Sequence, residues 1–244
     1  MLVYYREIFM YKYSKMLLLV ICILLLLLYI VPTYSKPVVI REFLSDRERK
    51  HIIHEATDKL EPSSISIQRN VNTSYRKSET AWLSLEDPII REIANRCVQN
   101  TDRPLRNCEK LQVVRYGEGG HYHPHQDALD GLENQRMYTF ILALTDDYEG
   151  GETEFPNLQK SYRLRAGDAL FFETLNNYEL KTPKALHGGR PVKSGEKWIC
   201  NLWVRKHPIT GAWPSPDSPC GGSLRPPCFV LRRGQRTLPH TSTY

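Results

Sequence analysis

The sequence predicts an α+β domain: two short amphipathic helices, then an antiparallel sandwich or jelly roll of about eight strands. Three observations lead there. Helix-start signals occur twice between residues 45 and 100. After Pro104 the texture changes to short apolar runs separated by glycine-containing turns. No alternation of strand and helix at about 30-residue spacing is visible, which removes a doubly wound parallel sheet.

The elements follow in chain order. Residues 1–15 form a basic segment expected in the cytosol, and 16–34 a membrane anchor. The apolar run Leu17–Val31 carries no charge. It is shorter than the roughly 20 residues that cross a bilayer core, but Met16, Pro32, Thr33 and Tyr34 extend it. Tyr11, Tyr13, Tyr29 and Tyr34 stand at interfacial positions, and Arg6, Lys12 and Lys15 precede the run. The positive-inside rule then gives a single-pass type II topology, with the bulk of the chain in the endoplasmic reticulum or Golgi lumen. A cleaved signal peptide, leaving a secreted chain, is the rival reading, although Val31–Pro37 offers no A-x-A site.

Ser45-Asp46-Arg47-Glu48 is a capping box that opens an amphipathic helix to about Leu60, on which His51 and His54 read as surface or half-buried residues. Residues 61–80 read as a polar loop, and Asn72-Thr73-Ser74 within them is a glycosylation sequon. Asp87-Pro88 starts a second helix through about Asn100. The strand candidates are 111–116, 137–144, 161–165, 169–173 and 197–205. Cys97–Cys108 and Cys220–Cys228 are spaced for local disulfides, while Cys200 reads as a buried thiol. Residues 207–244 hold seven of the 16 prolines and no apolar periodicity, so this tail is expected to be disordered.

Composition is that of a globular protein, 41% hydrophobic and 25% charged, which excludes collagen-like and wholly disordered classes. The formal charge of +6 resides entirely in 1–36 and 207–244. The stretch 37–206 is neutral and has no general attraction for phosphate backbones, so no nucleic acid partner is expected.

Chemistry concentrates in HYHPHQD, residues 121–127. Residues i and i+2 of an extended strand face one side, so His125 and Asp127 can bind one ion together. A third ligand must come from elsewhere, and His187, just before a turn, is the best remaining candidate. Two histidines and a carboxylate form the facial set of non-haem Fe(II) oxygenases, leaving positions open for a bidentate 2-oxo acid and O2. The far carboxylate of such an acid needs a buried cation, and Lys197 at the start of KWICNLWVR is suitably placed.

These residues match a family. H-x-D…H…K resembles the set of 2-oxoglutarate- and Fe(II)-dependent dioxygenases, and the flanking text is similar to the prolyl 4-hydroxylase catalytic domain. VVRYGEGGHYHPHQD, GGETEFP, LHGGRPVKSGEKWICNLWVR and the upstream RKSETAWL resemble that family's motifs in order. The resemblance implies a double-stranded β-helix spanning 37–206. It implies His125, Asp127 and His187 on iron, Lys197 with Tyr116 and Thr153 on 2-oxoglutarate, and Tyr122, Arg136 and Trp203 along a peptide groove. It further implies O2 as co-substrate, ascorbate as the reductant that rescues oxidised iron, and a proline-containing polypeptide as substrate. The chain is similar to compact members of the family, so a disulfide-isomerase partner is not required.

Three rivals stand beside this reading. His123-x-His125-x-Asp127 overlaps a binuclear zinc hydrolase motif, but Ala128 stands where another histidine would follow. Lysine could replace proline as the target, and an inactive membrane-tethered peptide binder could keep the fold alone.

Overall fold

A computed structural model describes residues 2–64 and 71–209; in the first helix side chains are described for 10–26 and 30. The elements are α1 (Leu2–Ile30), β1 (Val38–Ile40), α2 (Asp46–Thr57), β2 (Glu61–Pro62), β3 (Arg76–Lys77), β4 (Glu79–Leu83) and α3 (Pro88–Val98). There follow β5 (Leu111–Tyr116), β6 (His121–His125), β7 (Arg136–Ala143), β8 (Glu149–Gly150), β9 (Thr153–Phe155) and β10 (Lys160–Tyr162). The last are β11 (Ala169–Glu173), β12 (His187–Gly189), β13 (Val192–Ser194) and β14 (Lys197–Arg205). The tail expected from 207 onward lies, after Ile209, outside the described residues, as does the Cys220–Cys228 pairing.

Two antiparallel sheets carry the fold. The larger runs β1-β11-β7-β14-β5-β4-β2 and the smaller β10-β9-β12-β6-β3; β8 and β13 pair separately. The strand alternation sorts β14 cleanly. Lys197, Ile199, Asn201 and Trp203 face the cavity between the sheets, while Cys200, Leu202 and Val204 are fully buried on the opposite face. The space between the sheets is filled by Val114, Ile141, Leu170, Phe172 and Ile199 of the larger sheet and Phe155 of the smaller. Helix α2 packs on β4, β5 and α3. It buries Ile52 and Ala56, and α3 buries Ile90, Ile93, Ala94 and Cys97.

The helix starts form as the sequence predicts. Ser45 and Glu48 close the capping box, and Asp87 accepts from the backbone N–H of Ile89 and Ile90 at 2.8 and 3.0 Å. His51 reaches that cap, its Nε2 2.8 Å from Asp87 Oδ2, and so ties α2 to α3.

Several expectations are corrected. The polar segment 61–80 is not all loop: β2, β3 and the start of β4 pair along the sheet edges. Cys97 and Cys108 are both free and buried rather than bridged. The basic segment and the apolar run form one helix, α1, with the described side chains from Leu17 to Leu26 lying open to solvent except at their helical contacts. Among the described residues no helix is long and apolar enough to cross a membrane. The expected span is therefore not shown, the described apolar stretch being shorter than the roughly 20 residues a span needs.

Candidate metal centre

The site grows from strands β6 and β12. They pair His187 with His125 and Gly189 with Tyr122, so β6 carries one extra residue between the two pairs. Pro124 lies inside β6, at this bulge, where its missing N–H disrupts no regular ladder. The bulged backbone comes so close to Gly188 that a Cβ there would lie 2.9 Å from Tyr122 O and 3.0 Å from Pro124 N. Glycine at 188 lets the two histidine strands approach.

The pairing brings the three predicted ligands together. His125 Nε2 lies 3.7 Å from Asp127 Oδ1, and His187 Nε2 lies 3.6 Å from Asp127 Oδ2. One donor atom from each residue falls within 4.8 Å of the others. Each ring is fixed by its second nitrogen: His125 Nδ1 contacts His123 O at 2.9 Å, and His187 Nδ1 contacts Ala185 O at 3.0 Å. Nδ1 thus carries the proton, and Nε2 is left with its lone pair facing the cluster. Thr139 Oγ1 donates to Asp127 Oδ2 at 2.7 Å. Tyr122 stacks on the His125 ring with centroids 3.7 Å apart, and Phe155 and Phe172 pack around His187.

Protonation suits ligation. Burial, then the neighbouring His187, pushes His125 well below the usual histidine range. Burial would raise the Asp127 carboxyl, but His187 and His125 outweigh it and hold the group below its ordinary value. Neutral imidazole and ionised carboxylate are the forms that bind a cation. The donor set, two nitrogens and one carboxylate oxygen on one side of a cavity, fits a mid-row divalent metal with open positions better than a closed structural site.

Lys197 lies in the same cavity, which has a volume of about 370 Å³. It is 4% exposed, pairs across the sheet with Tyr116, and donates to Gly151 O at 2.7 Å. No carboxylate pairs with it among the described residues. Burial, then the Arg163 charge, lowers its pKa to about 8. A buried ammonium without a counter-ion is a receptor for a carboxylate. Thr153 lines the cavity on the smaller sheet.

All nine residues singled out from the sequence, Tyr116, Tyr122, His125, Asp127, Arg136, Thr153, His187, Lys197 and Trp203, line this one cavity. Arg136 is less available than expected: it is bound to Glu109 through Nε at 2.7 Å and Nη2 at 2.9 Å, and lies 3.6 Å over the Trp203 ring. His121 and His123 stay out of the cluster. His121 contacts Gly119 O and Ser74 O, and His123 stacks on Tyr75, so the binuclear arrangement does not form.

Sequence reasoning missed two wall residues, Arg76 and Trp82, and one residue behind the wall, Glu109. Arg76 is buried, lies 4.5 Å over the Tyr122 ring and bonds to Ser78, Ser64 and Thr80. Glu109 clamps both Arg136 and Arg205. Trp82, 48% exposed, stands 6.0 Å from Trp203. The R-x-S…W-L spacing was the available signal for Arg76 and Trp82; a lone glutamate before a strand gave none for Glu109.

Comparison with known proteins agrees with the geometry. A family model described as the 2OG-Fe(II) oxygenase superfamily matches residues 111–205. A protein of Acanthamoeba polyphaga mimivirus, named provisionally as a prolyl 4-hydroxylase, is 34% identical over 71% of this chain and 75% of its own length. Prolyl 4-hydroxylase 1 of Arabidopsis thaliana is 31% identical over 69% of this chain and 68% of its own. The crystal structure of a viral collagen prolyl hydroxylase from Paramecium Bursaria Chlorella virus-1, in its 2OG complex, superposes with a TM-score of 0.56 at 33% identity. That match covers 70% of this chain and 96% of the other.

Proposed function

Because the chain belongs to the prolyl 4-hydroxylase family of 2-oxoglutarate- and Fe(II)-dependent dioxygenases, we propose that this cavity is its active site and assign its wall residues their parts. His125, Asp127 and His187 hold Fe(II). Lys197 binds the distal carboxylate of 2-oxoglutarate, with Tyr116 and Thr153 beside it. Tyr122, Arg136 and Trp203 form the groove for the peptide. When bound, Fe(II) supplies the oxidative chemistry: O2 is divided between 2-oxoglutarate, which leaves as succinate and CO2, and a peptidyl proline, which gains a hydroxyl group. Ascorbate keeps the metal in its reduced state.

The chain's own contribution is placement. Three ligands on one face leave the other face open to co-substrate. The hydrogen bonds on both Nδ1 atoms and from Thr139 hold the donor atoms in orientation. The apolar walls Ile141 and Ile199 exclude water, and Tyr122 and Trp203 add aromatic surface to the same cavity. No side-chain base is needed to remove a proton from the ring carbon.

The observation that carries this reading is the convergence on one cavity of three ligands and a buried lysine that has no ion-pair partner among the described residues. The test is succinate release from 2-oxoglutarate by the iron-loaded full chain, with and without a proline-rich peptide. Release stimulated by peptide and lost in His125→Ala supports the assignment. Equal release in that variant would remove it.

We further propose that α1 anchors the domain to a membrane with the domain on the lumenal side. The apolar run continues in sequence to Val31, a 29-residue helix is about 43 Å long, and no part of the domain covers the side chains from Leu17 to Leu26. Asn72 is exposed, as a lumenal glycosylation acceptor must be. The cavity is completed within one chain, so this reading needs no disulfide-isomerase subunit. Carbonate extraction and glycosidase shift of the full chain test both points: release into the soluble fraction with no shift would overturn them.

A further inference from the structure

Lys197 is aimed by a backbone carbonyl rather than by a side chain, which makes the turn carrying that carbonyl part of the co-substrate site. Its Nζ donates to Gly151 O at 2.7 Å. Gly151 follows Gly150, and both have positive φ, +65° and +70°. Two successive left-handed glycines have no side chains with which to hold themselves. One side of the turn is secured by backbone pairing: Gly151 N–H donates to Pro191 O at 3.0 Å, and Gly150 pairs with Val192.

The other side is secured by Arg163. This exposed arginine follows β10, and its guanidinium lies 3.8 Å over the Tyr148 ring. It donates to Gly150 O at 2.5 Å, to Asp146 O at 3.1 Å and to Tyr148 O. Asp146, Asp147, Glu149 and Glu152 are all close in sequence, yet Arg163 makes no ion pair among the described residues. A surface arginine ordinarily spends its donors on water or carboxylates. Three carbonyls of one turn, gathered by one planar fork, is the geometry of a clamp. Tyr148 completes it, because the same ring stands 3.0 Å from where a Cβ on Gly151 would be.

We propose that Arg163 is a positioning residue for 2-oxoglutarate: it fixes the turn 146–151 so that the Gly151 carbonyl holds the Lys197 ammonium toward the co-substrate's distal carboxylate. The proposal rests on the reading of Lys197 as that carboxylate's partner. Arg163 is not among the residues that line the cavity, and its hydrogen bonds reach only the turn.

The experiment compares the iron-loaded full chain with Arg163→Gln, Arg163→Lys, Lys197→Met and the double variant Arg163→Gln/Lys197→Met. The readouts are KM for 2-oxoglutarate, kcat, KM for peptide, iron content and anaerobic 2-oxoglutarate binding. Arg163→Gln is expected to raise KM and Kd for 2-oxoglutarate by about tenfold, at the low end of the cost of losing an outer-shell partner, with kcat, peptide KM and iron content unchanged. Arg163→Lys keeps the charge but not the fork, so most of the defect should remain. In the Lys197→Met background, Arg163→Gln should add little, since both act on one contact. An unchanged KM in Arg163→Gln beside a raised one in Lys197→Met overturns the clamp, as does full rescue by lysine or simple additivity in the double variant. An unchanged KM in Lys197→Met instead overturns the reading of Lys197 on which the clamp depends. If Arg163→Gln does not fold, Arg163→Lys carries the test.

Discussion

Replacing Lys197 by Met tests the co-substrate site through a single charge. The lysine is 4% exposed, its ammonium rests on Gly151 O, and among the described residues no carboxylate forms an ion pair with it. A bound 2-oxoglutarate carboxylate completes a buried ion pair, and removing one partner of such a pair costs about 3–5 kcal/mol. At about 1.4 kcal/mol per factor of ten, KM for 2-oxoglutarate should rise roughly a hundredfold to a few thousandfold. Iron content should stay at the wild-type level, because Lys197 contacts none of the three ligands. The fold should persist: Met fills similar space, and the donor lost to Gly151 O, about 1–3 kcal/mol, is offset by no longer burying a charge. The pH profile sharpens the test. With the lysine pKa lowered from 10.5 to about 8 by burial and Arg163, the ammonium predominates below pH 8. Consequently kcat/KM for 2-oxoglutarate should be level below that pH and fall about tenfold per unit above it. The stability effect has the opposite sign: between pH 8 and 10.5 the unfolded chain binds the extra proton, so this group's burial cost fades as pH rises. The assay is succinate release against 2-oxoglutarate concentration, with iron measured on the same samples. An unchanged KM, an alkaline limb that survives in Lys197→Met, or parallel loss of iron would refute the reasoning.

Thr139→Val removes the 2.7 Å bond to Asp127 and should weaken iron binding about 10–100-fold; chelator competition measures this, and wild-type affinity would contradict the role. Gly188→Ala puts a methyl 2.9 Å from Tyr122 O; parting β12 from β6 should cost about 1–3 kcal/mol in thermal unfolding and lower iron content together, whereas a stable, iron-replete variant would show that the close approach is dispensable. Arg136→Ala strips the face of Trp203 and leaves Glu109 with Arg205 alone; KM for peptide should rise several-fold with KM for 2-oxoglutarate unchanged, and the reverse pattern would move Arg136 out of the groove.

The parts of the fold legible in sequence are those where burial writes a pattern. The strands β5 and β14 coincide with LQVVRY and KWICNLWVR because a central strand is largely buried on both faces, so it is rich in apolar residues and bounded by turns. The ligand set was legible because strand geometry makes two-residue spacing meaningful for His125 and Asp127, and because His187 was the remaining core histidine beside a turn. The edge strands β2 and β3 were hidden: they are two residues long, and their polar sequence reflects solvent on one side. Pro124 fits within β6 because proline stops a regular ladder but not a bulge. The Cys97–Cys108 spacing was compatible with a bridge, yet Cys97 points from α3 into the core and both thiols are unbridged. Glu109 could not be found from spacing, because its two arginines lie far along the chain on β7 and β14 and meet it only in the folded sheet.

The most direct test of the central claim is residue-level mass spectrometry of peptides after incubation with the full chain, Fe(II), 2-oxoglutarate, O2 and ascorbate. Collagen-like and proline-rich peptides are offered together with a Gly-X-Lys control, to wild type and to His125→Ala. The account predicts one added oxygen on proline with wild type and none with the variant. Oxygen on lysine, or no modified residue from iron-replete wild type that still binds 2-oxoglutarate, would contradict it.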